Sequence, residues 1–225
     1  MPLPKISTPT YELEIPSTKK KIRYRPFLVK EEKILIIAME SQSDTEIANA
    51  VKDVLSTCIL TKGVKVDTLS TFDIEYLFLN IRGKSVGEDV EVLVTCPDDN
   101  KTKVPVRINL DDIKIITHDD HKRDIKLDDS LLMRMRYPSI NEFIKSNFST
   151  SEVKSEDTFD LIISCIEQIF NDEESWSTSD CTKEEMNDFL DQLNSNQFKE
   201  IEKFFDTMPK LSHTLTVNNP NTKVK

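Results

Sequence analysis

Residues 69–88 constrain the fold of this chain more than any other stretch, because a helix start, a dense apolar run and a helix stop follow one another there. Ser70 or Thr71 can cap the helix, and Gly83 indicates its end. Little polar surface is left by the residues between them, which include Phe72, Ile74, Tyr76, Leu77, Phe78, Leu79 and Ile81. Since a helix that is apolar almost all round is central to a core or buried at an interface, we expect this helix to be central to a core.

The first sixty residues predict a hairpin and two helices. Residues 11–15 and 21–25 alternate between apolar and charged side chains across a short turn, which is typical of paired strands. Residues 27–39 are too apolar for an exposed element and predict a buried helix. A further amphipathic helix is expected to begin at Asp44 and to end at Gly63 as a left-handed cap.

The middle of the chain predicts strands. Residues 88–96 and 103–110 alternate with a period of two on either side of a turn, which indicates a second hairpin. Residues 113–117 and 124–135 predict further strands, so we expect a small antiparallel sheet. A short helix is expected over residues 138–148.

The pattern beyond residue 148 favours helices. A polar connector over 149–157 leads to three apolar stripes at helical spacing, and residues 211–217 alternate again before a turn. The stripes consist of Phe159, Ile162, Ile163, Ile166 and Ile169; then Met186, Phe189, Leu190 and Leu193, preceded by a Thr182/Glu185 capping box; and finally Phe198, Ile201, Phe204 and Phe205. The predicted fold class is therefore α+β, with small antiparallel sheets and N-terminal helices followed by a mainly helical C-terminal region. We predict an α+β domain over 1–148 and a helical region with a C-terminal strand or hairpin over 149–225, which can pack together as one unit.

Composition excludes several classes of function. The chain of 225 residues has a formal charge of -10 and three glycines, which argues against general nucleic-acid binding and against nucleotide-cradling loops. Residues 1–30 hold seven bases against two acids, whereas residues 151–206 hold sixteen acids against four lysines. These two stretches, which we call the basic head (residues 1–30) and the acidic tail region (residues 151–206), can bind oppositely charged neighbouring proteins. Four scattered cysteines, no signal pattern and no apolar run of membrane-spanning length indicate a protein of a reducing cytoplasm.

No sequence motif indicates a catalytic site. His118 and His121 with nearby aspartates could form half of a metal site, but a solvated turn is favoured because no matching ligand pair lies nearby. Cys96 with Asp99 lacks the second cysteine that a zinc knuckle needs. Trp176 lies in a polar setting, where a large aromatic side chain either plugs the core from a loop or anchors a contact.

Three blocks of the sequence resemble the T4-like phage baseplate hub protein family. They are Leu69-Ser-Thr-Phe-Asp-Ile-Glu-Tyr-Leu-Phe-Leu-Asn-Ile-Arg-Gly-Lys-Ser-Val-Gly-Glu88, Met135-Arg-Tyr-Pro-Ser139 and Phe204-Phe-Asp-Thr-Met-Pro-Lys-Leu-Ser-His-Thr214. The resemblance implies a role in building the central hub of a contractile tail baseplate, as a hub subunit or an assembly chaperone, and it implies no catalytic residue and no cofactor. Members of the family can carry Cys-x-x-Cys pairs where this chain has residues 96–99 and 218–221. This chain departs from that pattern, so no zinc site is expected.

We therefore expect a non-enzymatic late phage protein whose partners are other baseplate hub proteins. The resemblance implies that it acts in the host cytoplasm during tail assembly and can also occur in the virion. Neither nucleic-acid binding nor a membrane span is expected. The candidate contact residues are Trp176, Phe204, Phe205, Lys19, Lys20, Lys21, Arg23 and Arg25. The alternatives are a metal-assisted hydrolase using His118 and His121, and a generic cytoplasmic adaptor.

Overall fold

The computed structural model describes residues 6–147 and 155–223, and its first element is an antiparallel hairpin. Strands β1 (Tyr11–Glu14) and β2 (Lys21–Tyr24) pair with Tyr11 opposite Tyr24. Ile22 and Tyr24 are buried, whereas the residues that alternate with them on β2 are exposed. The hairpin predicted from the alternating pattern is therefore confirmed.

Two capped helices, α2 (Asp44–Cys58) and α3 (Thr71–Val86), follow in the N-terminal half. Ser70 caps α3 as predicted, because its hydroxyl accepts a hydrogen bond from a backbone N–H of the first helical turn at 3.3 Å. Neither helix ends at its predicted glycine. Gly63 lies in a turn after the end of α2, with φ +78°, and Gly83 is buried within α3, where the helical backbone continues past it.

The helix α3 lies at the centre of an N-terminal core, as the sequence predicted. Ile74, Leu77 and Ile81 on this helix are at most 1% exposed. The N-terminal core consists of Ile15, Ile22, Tyr24, Phe27, Val54, Leu55, Cys58, Val66, Leu69, Ile74, Leu77 and Ile81. The β1–β2 hairpin and α2 contribute buried apolar side chains to the same core as α3.

The first helix, α1 (Val29–Glu40), contradicts the prediction of a buried element. Only Glu31 and Ala38 on this helix are buried, and Leu35 is partly buried against the N-terminal core. The large apolar side chains on the rest of its surface are exposed. Apolar composition predicted burial for both α3 and α1. The prediction is correct for α3 and wrong for α1, because nothing else in the described residues covers the outer face of α1.

The middle of the chain forms two small sheets. The long hairpin of β3 (Asp89–Thr95) and β4 (Lys103–Asn109) agrees with the prediction and stands as a two-stranded sheet. A short strand β5 (Lys114–Ile116) follows, and it pairs with the strand β10 (Lys210–Ser212) from the far end of the chain. The predicted short helix is present as α4 (Ile140–Asn147).

A four-stranded antiparallel sheet overturns the prediction of a mainly helical C-terminal region. Its strands run in the order β6, β7, β8, β9, and two of the four lie beyond residue 149. Their bounds are Asp124–Lys126 for β6, Leu132–Met135 for β7, Ile166–Phe170 for β8 and Ser175–Ser177 for β9. Ile166 and Ile169 have helical spacing to the isoleucines before them, but β8 pairs with β7 on one side and β9 on the other, and this long-range pairing gives the segment strand geometry. Seven helices and several small antiparallel sheets make the described chain a mixed α+β fold throughout.

Three helices share an apolar core with this sheet. They are α5 (Ser155–Cys165), α6 (Lys183–Asp191) and α7 (Ser195–Thr207), and α5 passes directly into β8 without an intervening loop residue. The Thr182/Glu185 capping box predicted for α6 is present. The connector predicted over 149–157 lies mostly outside the described residues.

Sheet and helices enclose a C-terminal core. It consists of Ile125, Leu127, Met133, Met135, Ile162, Ile163, Cys165, Ile166, Ile169, Met186, Leu190, Ile201 and Phe204. Four of these residues precede the domain boundary predicted at 148/149, and the division into domains stays a prediction. Within 6–147 and 155–223, no helix combines the length and apolar content that crossing a membrane requires.

Candidate interaction surfaces

The turn of the β1–β2 hairpin holds the basic head predicted from the sequence. Ser17 fixes this turn, because its backbone N–H and its hydroxyl donate to the Asp73 carboxylate at 2.9 and 2.5 Å. The same buried carboxylate accepts a hydrogen bond from the Ser70 hydroxyl at 2.5 Å. The start of α3 and the hairpin turn are therefore joined by one carboxylate, which holds the neighbouring lysines in a defined place.

Four of the predicted basic residues are exposed on this hairpin. Lys19 has a left-handed backbone with φ +58°, and the Lys20 ammonium group donates to the Gly63 carbonyl at 3.3 Å. Lys21 and Arg23 lie on the outer face of β2, where their cross-strand neighbours are Glu14 and Glu12. Like the lysines, the two glutamates are exposed, so this surface carries both signs of charge with a basic excess at the turn.

Arg25 differs from the other basic candidates because it belongs to a buried ion pair. Its guanidinium donates to the Glu31 carboxylate at 2.9 Å, and the two side chains are 14% and 3% exposed. The Leu28 backbone N–H donates to the same carboxylate at 2.7 Å. Burial would raise the pKa of Glu31, but the donors from Arg25, Leu28 and Lys30 outweigh it and lower this pKa to about 2. This charged pair positions the first turn of α1.

Trp176 lies on β9, the edge strand of the four-stranded sheet, and is 41% exposed. It is paired across the sheet with Ile169 and forms one wall of an apolar recess of about 320 Å³. The recess is lined by Leu131, Ile169, Trp176, Cys181, Glu185, Met186 and Phe189. Part of the indole therefore packs against the protein, and the rest is available to a partner. Trp176 is thus intermediate between the two roles that the sequence suggested, a plug of the core and an anchor for a contact.

Exposed carboxylates lie close in sequence to residues that line this recess. Asp172, Glu173 and Glu174 form the turn before β9, Asp180 follows the strand, and Glu184 follows Lys183 in the first turn of α6. Five acids of the acidic tail region therefore adjoin the segments that form the recess. A complementary partner would present an apolar side chain with Lys or Arg next to it.

Phe204 and Phe205 occupy different environments on α7. Phe204 is 2% exposed and stacks on the Tyr137 ring at a centroid distance of 5.8 Å. Tyr137 in turn meets the edge of Phe72 on α3 at 5.0 Å, so an aromatic row connects the C-terminal core with the start of α3. Phe205 is half-buried against this core and meets Phe204 edge-on. The structure therefore uses Phe204 as an interior residue, whereas Phe205 retains some accessible surface.

The two histidines of the metal hypothesis do not converge. His118 is exposed, whereas both ring nitrogens of His121 are hydrogen-bonded, Nδ1 with Thr207 Oγ1 at 2.9 Å and Nε2 with the Tyr137 hydroxyl at 3.0 Å. Burial lowers the pKa of His121. Within the described residues, no group of three or more His, Cys, Asp or Glu side chains could hold a metal ion.

Two turns that lie far apart in the sequence are brought together at the tip of the β3–β4 hairpin. Asp98 accepts hydrogen bonds from the Asn219 amide at 2.9 and 3.0 Å and from the Thr222 hydroxyl. The Asn221 amide donates to the Thr102 hydroxyl at 2.9 Å. Asn219 is 2% exposed, so the polar contact is partly shielded from water. These are the two segments at which the chain departs from the Cys-x-x-Cys pattern, and here a carboxylate and amides join them.

Sequence reasoning missed a cleft of about 850 Å³ between the hairpin turn, α3 and the segment before β5. Its lining includes the aromatic residues Phe72, Tyr76 and Tyr137 and the charged residues Asp111 and Lys114. No local sequence pattern predicts such a cleft, because its lining residues come from distant parts of the chain.

Comparison with known proteins gives one match. A family model described as T4 bacteriophage base plate protein matches residues 8–225. The match includes all three blocks that carry the resemblance described above. Neither a curated protein nor a solved structure matches the chain.

Proposed function

The chain belongs to the T4 bacteriophage base plate protein family, and from this premise we propose that it acts in assembly of the baseplate hub of a contractile tail. It would do so by protein–protein recognition, as an assembly factor or as a hub subunit. The family supports a role in the phage tail, and the hub is the finer assignment that we add. We also propose that the protein is not an enzyme and works without a cofactor.

The observation that carries this proposal is the half-exposed Trp176 beside an apolar recess. Partly exposed tryptophans next to apolar pockets are typical of binding hot spots, because a partner can bury the remaining aromatic surface without disturbing the fold. The adjoining acidic residues favour a partner with basic side chains and speed its approach. Recognition would therefore combine an apolar anchor with charge complementarity.

The basic turn of the β1–β2 hairpin would set the orientation of the bound protein. It lies on the N-terminal core, whereas the acidic residues that adjoin the recess lie on the C-terminal core. Two surfaces of opposite sign fit a subunit that sits between neighbours of opposite charge. Lys19, Lys20, Lys21 and Arg23 are the exposed residues that would contribute.

Binding to purified hub proteins of the same phage tests the proposal. We expect one of them to bind, and we expect Trp176→Ala to weaken binding at least tenfold, since the anchor is lost. Phe159→Ala is the matched control, because Phe159 is 42% exposed and lies on α5 outside the recess. No binding to any hub protein, or equal losses for the two variants, would contradict the proposed recognition mode.

Mass spectrometry separates the two roles. A hub subunit is expected in purified virions in a fixed ratio to other tail proteins. An assembly factor is expected only in tail intermediates isolated from the host cytoplasm. Absence from both would argue against a role in hub assembly.

A further inference from the structure

The outer face of α1 is an exposed apolar feature that the proposed function does not use. Glu31, Leu35 and Ala38 face the N-terminal core, and they occupy one narrow side of the helix. The exposed apolar side chains are Leu28 at the N-cap with Val29, Ile34, Ile36, Ile37 and Met39, each 42–67% exposed. We call these six residues the α1 surface.

The α1 surface is too apolar for an element that stays in water. A helix that is apolar on both sides is normally enclosed, by its own chain or by a partner. All six side chains are at least 42% exposed, and they extend over most of the helix circumference outside the narrow side that faces the core. Within the described residues nothing covers the α1 surface.

From its order of charges we infer that the α1 surface binds a second copy of this chain. In the first half of the helix Lys30 lies 3.2 Å from Glu31 of its own chain and Glu32 is exposed beside Lys33, whereas Glu40 ends the helix. Lys33 and Glu40 are therefore opposite charges seven residues apart on the exposed side of α1. Two copies related by a two-fold axis place their helices antiparallel. Lys33 of each copy can then face Glu40 of the other.

Helix geometry gives the register of this pair. With the axis between Ile36 and Ile37, these two isoleucines meet their counterparts at the centre of the interface. In the same register Lys33 of one copy faces Glu40 of the other on both sides of the axis. Lys33, Ile36, Ile37 and Glu40 share one side of α1, since they are spaced three, four and seven residues apart.

Charge and area are both compatible with self-association. Lys30 and Lys33 balance Glu32 and Glu40 on the exposed part of the helix, so the chain's net charge of -10 is not concentrated here. An antiparallel helix centred on Ile36 and Ile37 covers only the nearest part of the α1 surface, so the interface would fall below the roughly 1,200 Å² of standard-sized interfaces. We therefore expect a reversible dimer whose population depends on concentration. The buried Arg25–Glu31 pair positions the first turn of the helix before association, which reduces the ordering cost of binding.

Sedimentation equilibrium of the full chain alone, from nanomolar to high micromolar concentration, tests this inference. We expect the average mass to rise from 26.0 kDa toward twice that value. The Ile36→Lys, Ile37→Lys double variant should remain a monomer over the whole range. The matched control is Leu93→Lys, because Leu93 is 68% exposed on β3, outside the α1 surface, and this variant should associate as the original chain does.

A charge exchange tests the antiparallel register. Lys33→Glu alone places two glutamates opposite each other and should weaken the dimer at least tenfold, whereas Lys33→Glu combined with Glu40→Lys should restore it. Circular dichroism checks that each variant is folded. A wild-type chain that stays monomeric, a dimer that survives the double lysine variant, or a charge exchange that fails to restore association would each overturn the inference. Since no hub protein is present in this experiment, its outcome is independent of the proposed function.

Discussion

Replacing Glu31 with glutamine tests how α1 is held on the N-terminal core. The Glu31 carboxylate is almost fully buried and receives donors from Arg25 and the Leu28 backbone. These interactions outweigh burial and lower its pKa from 4.5 to about 2. Glutamine has nearly the same shape but cannot carry the charge, so it leaves the Arg25 guanidinium without its ionic partner.

The magnitude follows from the pKa difference between the folded and unfolded chain. Because the folded-state pKa lies below the unfolded one, the stabilisation is fully present above the unfolded value and is lost as the pH falls toward the folded value. A fall from 4.5 to about 2 corresponds to about 3 kcal/mol of unfolding free energy at neutral pH. About half of this contribution remains near pH 3.

Urea unfolding followed by circular dichroism at neutral pH and near pH 3 measures the effect. Glu31→Gln should lose about 3 kcal/mol at neutral pH, and about half as much near pH 3. Glu32→Gln is the matched control, because Glu32 is the next residue and is exposed, and its stability should change by less than about 0.5 kcal/mol. A variant at position 31 as stable as the original chain at neutral pH, or with the same deficit at both pH values, would refute the electrostatic argument.

Two further predictions concern other parts of the structure. Asp98→Ala should speed amide exchange of residues 219–222, measured by mass spectrometry, because it removes the acceptor for Asn219 and Thr222. Asp112→Ala is the control and should leave this exchange unchanged. Unchanged exchange in Asp98→Ala would contradict the role of the Asp98 carboxylate in joining the two turns. Hydrogen bonds from Thr222 and Asn219 lower the pKa of Asp98, so the same turn should loosen in the original chain as the pH falls below about 4. Ellman's reagent should modify one thiol rapidly in the native chain and four after denaturation, because Cys58, Cys96 and Cys165 are buried and Cys181 is partly exposed. Burial raises the pKa of Cys58 to about 11 and that of Cys165 to about 12, which keeps both thiols protonated, and Cys181→Ser should abolish the rapid phase.

Elements with strong local signals were predictable. The cap at Ser70 and the capping box at Thr182 combine a hydroxyl with a downstream carboxylate, and these short-range hydrogen bonds form in the structure. The β1–β2 and β3–β4 hairpins also have their partners close in the sequence, so the alternation sufficed.

Elements whose structure depends on distant residues were not predictable. The spacing of Ile162, Ile166 and Ile169 suits one helix, but pairing of β8 with β7 requires residues more than thirty positions earlier. The exposure of α1 was also missed, because its composition resembles that of the buried helix α3. Composition predicts that a helix should be covered, but it does not say whether the chain itself provides the cover.

The residues of the candidate interaction surfaces likewise fall into a predictable and an unpredictable group. The basic turn and the exposed part of Trp176 were found from charge and aromatic content. Phe204 was chosen for the same aromatic reason, yet its neighbours Tyr137 and Phe72 come from other elements and enclose it. The pairing of Asp98 with Asn219 had no local signal, since 121 residues separate the two side chains.

The direct passage from α5 into β8 restricts where relatives of this chain can differ in length. One residue inserted at the junction of Cys165 and Ile166 would rotate the side chains of α5 by about 100° or turn those of β8 to the opposite face of the sheet. Either change would remove Ile162 or Ile169 from the C-terminal core. A turn such as residues 171–174 can absorb insertions and deletions without such a shift, because the strands on either side keep their pairing. Evolutionary gains and losses of residues should therefore accumulate in such turns and spare the helix-to-strand junction.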